Sequence, residues 1–140
     1  MNTKITFTRI EKLLGYIHDN IRKPLSLEEL ASKSCWSRWQ LQRVFQAYTG
    51  FSVAQYVREI KLSEAAIMVL GGKHRISDIA YEFGFNSEIA FSRAFKQFFG
   101  VSPKRYQING VKKGIKSPLV KPIKLNETVF FQRMHSIKSV

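Results

Sequence analysis

Trp39, Gln42 and Arg43 stand at i, i+3 and i+4, the spacing that brings three side chains to one side of a helix. An arginine can bond guanine O6 and N7 in bidentate fashion, and a glutamine adenine N6 and N7. The pair therefore has the chemistry to read base edges in a major groove. An indole beside them can lay an apolar face on a thymine methyl or a sugar. The bland reading of Gln and Arg is a solvated helix face, and a tryptophan on that face counts against it. Ser37 and Arg38 precede them at the helix amino end, where hydroxyl, backbone amides and charge suit phosphate. Gln40, in the same first turn, is grouped with them as a backbone contact.

The stretch returns in altered form fifty residues later. Leu41-Gln42-Arg43-Val44-Phe45 aligns with Phe91-Ser92-Arg93-Ala94-Phe95, and Gly50-Phe51-Ser52 with Gly100-Val101-Ser102. Upstream, Leu27-Glu28-Glu29-Leu30-Ala31 matches Ile76-Ser77-Asp78-Ile79-Ala80 at an offset of forty-nine. Each copy reads as a short helix, a turn, a longer helix, and Gly-x-Ser opening another helix. A short helix, tight turn and second helix is the helix-turn-helix unit, whose second helix enters the major groove.

These residues resemble the AraC/XylS transcriptional regulators, and within them the small MarA, SoxS and Rob group. Leu25-Ser26-Leu27-Glu28-Glu29-Leu30-Ala31, Trp39 to Phe45, Ile79 to Phe85 and Phe91 to Lys96 carry the resemblance, which covers roughly Thr8 to Tyr106. It implies a bipartite, all-helical DNA-binding domain whose first recognition helix reads bases with Trp39, Gln42 and Arg43. In the second copy the matching positions are Ile89, Ser92 and Arg93, beside Glu88 and Ala90. This departs from the close relatives, which are richer here in glutamine and threonine. Arg93 can read guanine and Ser92 can bond either way. Ile89 offers apolar contact only, and Glu88 can accept from a cytosine amino group but is repelled by phosphate. The second helix is expected to read less and position more, with Ser87 and Lys96 on the backbone. Lys104 and Arg105, opening the closing helix, are further phosphate candidates against a reading of simple solubility. Relatives commonly activate by contacting RNA polymerase, so the resemblance implies that partner too.

Charge agrees with a polyanion partner. The chain of 140 residues carries a formal charge of +13 and a pI of about 10.1. Sixteen basic against nine acidic residues lie up to Tyr106, and seven against one after it. Such a balance points to nucleic acid or an anionic membrane surface. No apolar run approaches a membrane span, since Ala65 to Leu70 stops at Gly71-Gly72. No signal peptide is visible, and one cysteine excludes an intrachain disulfide framework. A cytoplasmic, nucleoid-associated location is expected.

The elements that must position these side chains follow from caps and stripes. Thr8 and Glu11 have capping-box form and are expected to open the first helix, with Ile10, Leu13, Leu14, Ile17 and Ile21 as its stripe. Ser26 with Glu29 and Ser52 with Gln55 read as further boxes. The turn of the first unit is Ser34-Cys35-Trp36. The longest helix runs from Ser52 to Leu70 and is apolar on several sides, as a connector covered on several sides would be. Phe91, Phe95 and Phe98 supply the core face of the second unit, and Ser102 with Pro103 opens the closing helix. Eleven phenylalanines sit mostly at helical core spacing, against a reading as base-stacking platforms.

The expected fold is all-α, two helix-turn-helix subdomains of about seven helices in total joined by a long connector helix. The expected organisation is a DNA-binding domain over 1–106, with subdomains over about 8–50 and 75–106 and the connector over 52–70. Beyond it, 107–140 is either a basic tail or the start of a further domain, with Val129-Phe130-Phe131 as its first strand. Catalysis finds no support. His18, His74 and His135 are scattered without metal-ligand spacing to Cys35, and no phosphate-binding glycine loop is present. Cys35 as a reactive thiol, or an alkyl acceptor as in repair proteins that share this domain, stands against a small turn or core residue. No enzyme, metal or cofactor is expected. One chain supplies two different recognition helices, so a monomer is expected on an asymmetric double-stranded site of roughly 20 bp. A non-specific architectural DNA binder and a basic interaction module are the rival classes.

Overall fold

A computed structural model describes residues 3–119 of the chain. Among them are seven helices and no strand: α1 (Thr3–Asp19), α2 (Leu27–Ser34), α3 (Arg38–Thr49), α4 (Val53–Gly71), α5 (Ile76–Glu82), α6 (Glu88–Phe99) and α7 (Pro103–Asn109). The Val129-Phe130-Phe131 segment lies outside the described residues. No described helix is long and apolar enough to cross a membrane. The described chain divides into two compact units, one of residues 3–19, 25–56 and Leu119, the other of 20–24 and 57–118.

In the first unit, α1 packs on α2 and α3, and α2 on α3. Ile10, Leu13, Leu14 and Ile17 of α1 are buried, as are Leu30 and Ala31 of α2 and Leu41, Val44, Phe45 and Tyr48 of α3. The apolar stripes at three- and four-residue steps are thus the faces these helices turn inward. Tyr56, at the start of α4, is fully buried with its ring 5.7 Å from that of Phe45. Its hydroxyl lies 2.7 Å from His18 Nε2 and accepts from Leu119 N at 2.8 Å.

The second unit is built on phenylalanine. Phe83, Phe91 and Phe95 are fully buried among Leu62, Ala65, Ala66, Val69 and Ile79. Phe98, expected beside them, is only partly buried. Residues 110–118 form no regular element, and Ile115 among them packs against this core. Tyr106 Oη donates to Lys113 O at 2.7 Å and accepts from Lys113 N at 3.0 Å. Lys116 N donates to Ser63 Oγ at 2.8 Å, and its ammonium pairs with Glu59 at 2.7 Å. The expected boundary at Tyr106 falls inside α7, which continues to Asn109.

Caps decide where the helices begin, and two expectations fail, one wholly and one in half. α1 begins at Thr3, so Thr8 lies inside it and its hydroxyl donates to Lys4 O at 3.0 Å. A mid-helix threonine bonds back to the i−4 carbonyl, and here that replaces the expected cap. Ser26 caps α2 by accepting from Glu29 N, but the Glu29 carboxylate accepts from Tyr16 Oη, so only half of the expected box forms. A full box forms instead at α3. Ser37 Oγ accepts from Gln40 N and Gln40 Oε1 from Ser37 N, both at 3.1 Å. Ser52 accepts from Gln55 N at 3.2 Å and opens α4.

The two helix-turn-helix turns are equivalent at the backbone. Cys35 ends α2 at φ 59°, and Gly84, forty-nine residues on, has φ 82°. Both lie in the left-handed region that side chains avoid. The second turn is also tied from below: Lys61, only 9% exposed, donates to Lys23 O at 2.6 Å and to Phe83 O at 3.3 Å. Burial lowers its pKa from the usual lysine value.

Candidate nucleic-acid interface

The amphipathic division of α3 creates the first candidate face. Burying Leu41, Val44, Phe45 and Tyr48 turns Arg38, Trp39, Gln42 and Gln46 to solvent. Trp39 is 63% exposed, an arrangement that hydrophobicity alone disfavours. Arg43 is half-buried, and its guanidinium lies over the Trp39 ring, Cζ 4.4 Å from the centroid. No carboxylate of the described residues is within ion-pair distance of Arg43. The stacking fixes the direction of a planar donor fork before any ligand arrives, which lowers the entropy lost on binding. Gln42, between them in sequence, stays exposed.

At the amino end of α3, Ser37 and Gln40 are engaged in the capping box. Gln40 is therefore turned back along the helix end, with its amide oxygen spent on Ser37 N and its amide nitrogen left over. Ser37 keeps its hydroxyl proton as a donor. Arg38 is exposed and pairs at 3.4 Å with Glu28, itself exposed, a contact weak enough in water for a phosphate to replace.

The second candidate face, on α6, follows from the burial of Phe91 and Phe95. Glu88, Ile89, Arg93 and Lys96 are exposed and Ser92 is partly so. Ile89, at 68%, is among the most exposed large apolar side chains described. Ser87 caps this helix by accepting from Ala90 N at 3.0 Å. On α7, Lys104 and Arg105 are exposed in the first turn, behind the Ser102 cap and Pro103. Each sequence-predicted residue thus lies at a helix end or on an outward helix face of its own unit.

No cluster of three or more histidine, cysteine or acidic residues able to hold a metal occurs among the described residues. Cys35 is exposed at the end of α2 rather than in the core. Sequence reasoning missed the Arg43–Trp39 stack, although i, i+4 spacing of an aromatic and a cation is its signal. It also missed Arg9, whose guanidinium lies 4.0 Å from the Trp36 centroid. No local pattern joins two residues so far apart.

Two outward faces, each on the second helix of a helix-turn-helix unit, define a narrow class of proteins. Residues 30–108 match the family described as helix-turn-helix domain. Over 102 residues the chain is 38% identical to the multiple antibiotic resistance protein MarA of Salmonella typhimurium, spanning 73% of this chain and 80% of that protein.

The chain belongs to the AraC/XylS family, in its MarA/SoxS/Rob-like group.

A second relative in this family is the HTH-type transcriptional activator AarP of Providencia stuartii, 32% identical over 108 residues, 77% of this chain and 80% of that one. Among solved structures, a transcriptional regulator with an AraC-type DNA-binding domain from Chromobacterium violaceum superposes with a TM-score of 0.67 at 26% identity. It covers 80% of this chain and 97% of its own. As a member of the AraC/XylS family the chain is a DNA-binding transcription regulator and not an enzyme.

Proposed function

We propose that this regulator binds double-stranded DNA in a sequence-specific manner, as a monomer, reading two adjacent major-groove segments of an asymmetric site. The exposed Trp39 with Arg43 stacked on it is the observation that carries the reading. A merely soluble helix has no use for an exposed indole, and a fork fixed in direction suits guanine O6 and N7. Gln42 adds an adenine reader beside it. On α6, Arg93 and Ser92 supply polar readout and Ile89 a contact to a thymine methyl, while Glu88 accepts from a cytosine amino group. Ser37, Arg38, Gln40, Ser87, Lys96, Lys104 and Arg105 hold the backbone. Two unlike recognition helices in one chain imply a site without palindromic symmetry.

The regulator acts as an activator in this reading, at promoters in the cytoplasmic nucleoid and in contact with RNA polymerase. AarP is named a transcriptional activator, and that name supports the direction of regulation. Residues after Tyr106 add further positive charge for the DNA backbone, or open a further domain.

Selection from random duplex DNA at about 150 mM salt, where non-specific binding is weakened, tests the reading. Expected is an asymmetric motif with two informative blocks about one helical turn apart. A single block would confine base readout to α3 and defeat the bipartite claim. No enrichment would leave a charge-driven architectural binder instead.

A further inference from the structure

The first unit holds a second cationic feature, apart from the α3 face. A cleft of about 320 Å³ opens between α1 and the end of α2. Arg9, Lys12, Leu13 and Tyr16 line it from α1, at i, i+3, i+4 and i+7, so one face of that helix forms a whole wall. Lys33, Ser34 and Cys35 close it from α2.

Three cations, Arg9, Lys12 and Lys33, line this cleft. No carboxylate of the described residues is within ion-pair distance of Arg9, Lys12 or Lys33. Glu29, which accepts from Tyr16 Oη, does not line the cleft. The carbonyls at the end of α2 are also engaged, Ala31 O by Trp36 N, Ser32 O by Cys35 N and Ser34 O by Arg9 Nη2. Like charges gathered in one concavity raise its affinity for an anion.

Arg9 is an anchor fixed in advance. Its guanidinium is held between the Trp36 ring and Ser34 O, and a guanidinium has five N–H donors. One carbonyl therefore leaves donors over. Lys33 Nζ sits 5.1 Å from the Tyr16 ring centroid, leaning over the same wall. The Leu13 side chain, the Tyr16 ring and the lysine stems supply an apolar lining. The volume falls at the low end of clefts that hold small molecules.

We propose that this cleft binds a small organic carboxylate with an apolar body. The carboxylate would meet Arg9 with Lys12 and Lys33, and the body would lie along Leu13 and Tyr16. The full chain, labelled with nitrogen-15, is titrated with 1-naphthoate, with its neutral analogue 1-naphthamide, and with inorganic phosphate. Expected is saturable movement of the Leu13, Ser34 and Cys35 amides by naphthoate with a Kd of about 1 mM or tighter. Naphthamide and phosphate should each bind at least about tenfold more weakly. The exposed pair Lys12→Gln and Lys33→Gln together should weaken naphthoate by about tenfold at an unchanged melting temperature. Failure to saturate would overturn the proposal, and so would an equally tight naphthamide or an unaffected double variant. Phosphate binding as tightly as naphthoate would overturn it too, marking a seat for any phosphate, a DNA backbone included. Neither probe nor variant touches Trp39, Gln42 or Arg43, so the outcome stands apart from the DNA-binding reading.

Discussion

At the scale of single residues, the chain shows how one position serves two ends. Arg43 is both a stacked, half-buried side chain and the proposed guanine reader. Arg43→Ala should cost about 1–3 kcal/mol of specific binding and relax preference at one base pair. Trp39→Ala should cost less by itself if its main part is to hold that fork, and the two should be non-additive by at least about 0.5 kcal/mol. Binding measured for the four members of the cycle checks this. Additive losses would mean that the stack prepares nothing.

The two left-handed turn residues give a second test at this scale. Cys35 at φ 59° carries the strain of a side chain in that region, about 1–2 kcal/mol, where Gly84 at φ 82° carries none. Cys35→Gly should stabilise by about 0.5–1 kcal/mol once the extra freedom of glycine in the unfolded chain is set against the relief. Gly84→Ala should destabilise by about 1–2 kcal/mol. A Cβ there meets Lys61 Nζ at 3.4 Å and Pro24 N at 3.7 Å, close but not a clash, so strain rather than collision sets the sign. Urea midpoints with unchanged slopes would read both changes.

At the scale of elements, the repeat and the stripes were legible because they depend on near neighbours in sequence. The α3 stripe, Phe91 and Phe95 of the α6 stripe, and the Ser102-Pro103 opening are local chemistry, and the structure keeps them. Thr8 misled because a capping box and a mid-helix threonine with a later glutamate look alike in sequence. The end of α1 is decided by whether residues 3–7 prefer to continue the helix. Lys61 escaped notice for a different reason. Its partners, Lys23 O and Phe83 O, are thirty-eight and twenty-two residues away, and no local pattern marks a lysine that leaves the solvent to cap two carbonyls. Trp39, Gln42 and Arg43 were legible as residues off the apolar stripe, whereas the stacking of Arg43 on Trp39 depends on side-chain rotamers that spacing alone does not specify.

His18 connects elements and makes stability respond to pH. Burial lowers its pKa below the usual histidine value, against the opposing pull of Asp19, and its Nε2 meets Tyr56 Oη. The folded chain therefore prefers the neutral ring. As pH falls through about 6.5 the unfolded chain takes up the proton first, and stability is lost from there down toward the folded pKa. The slope cannot exceed one proton, about 1.4 kcal/mol per pH unit. Melting at intervals from pH 7.5 to 5.5 should show this loss in the wild type and a smaller one in His18→Gln, which keeps an acceptor for Tyr56. Equal losses in both would assign the effect elsewhere.

At the scale of the whole molecule, the formal charge of +13 favours attraction to DNA, and in the proposed reading the two candidate faces set where binding stops. These contributions separate in salt. Each phosphate neutralised by a lysine or arginine releases counterions and adds about 0.9 to the magnitude of the slope of log K against log salt. Arg38, Lys104 and Arg105 are exposed, and only Arg38 among them has an ion pair with a described residue, to Glu28. Changing all three to alanine should lower the slope by up to about 2.7 and weaken matched and mismatched duplexes alike. Arg43→Ala should do the opposite, reducing the ratio of matched to mismatched affinity with a slope change of no more than about one. Glu28→Ala supplies the internal control. Freed from its partner, Arg38 should bind phosphate more readily and raise affinity for every sequence by a small factor. If the triple variant instead lost preference for one sequence while its slope held, these cations would be reading bases, and the division between positioning and reading residues would have to be redrawn.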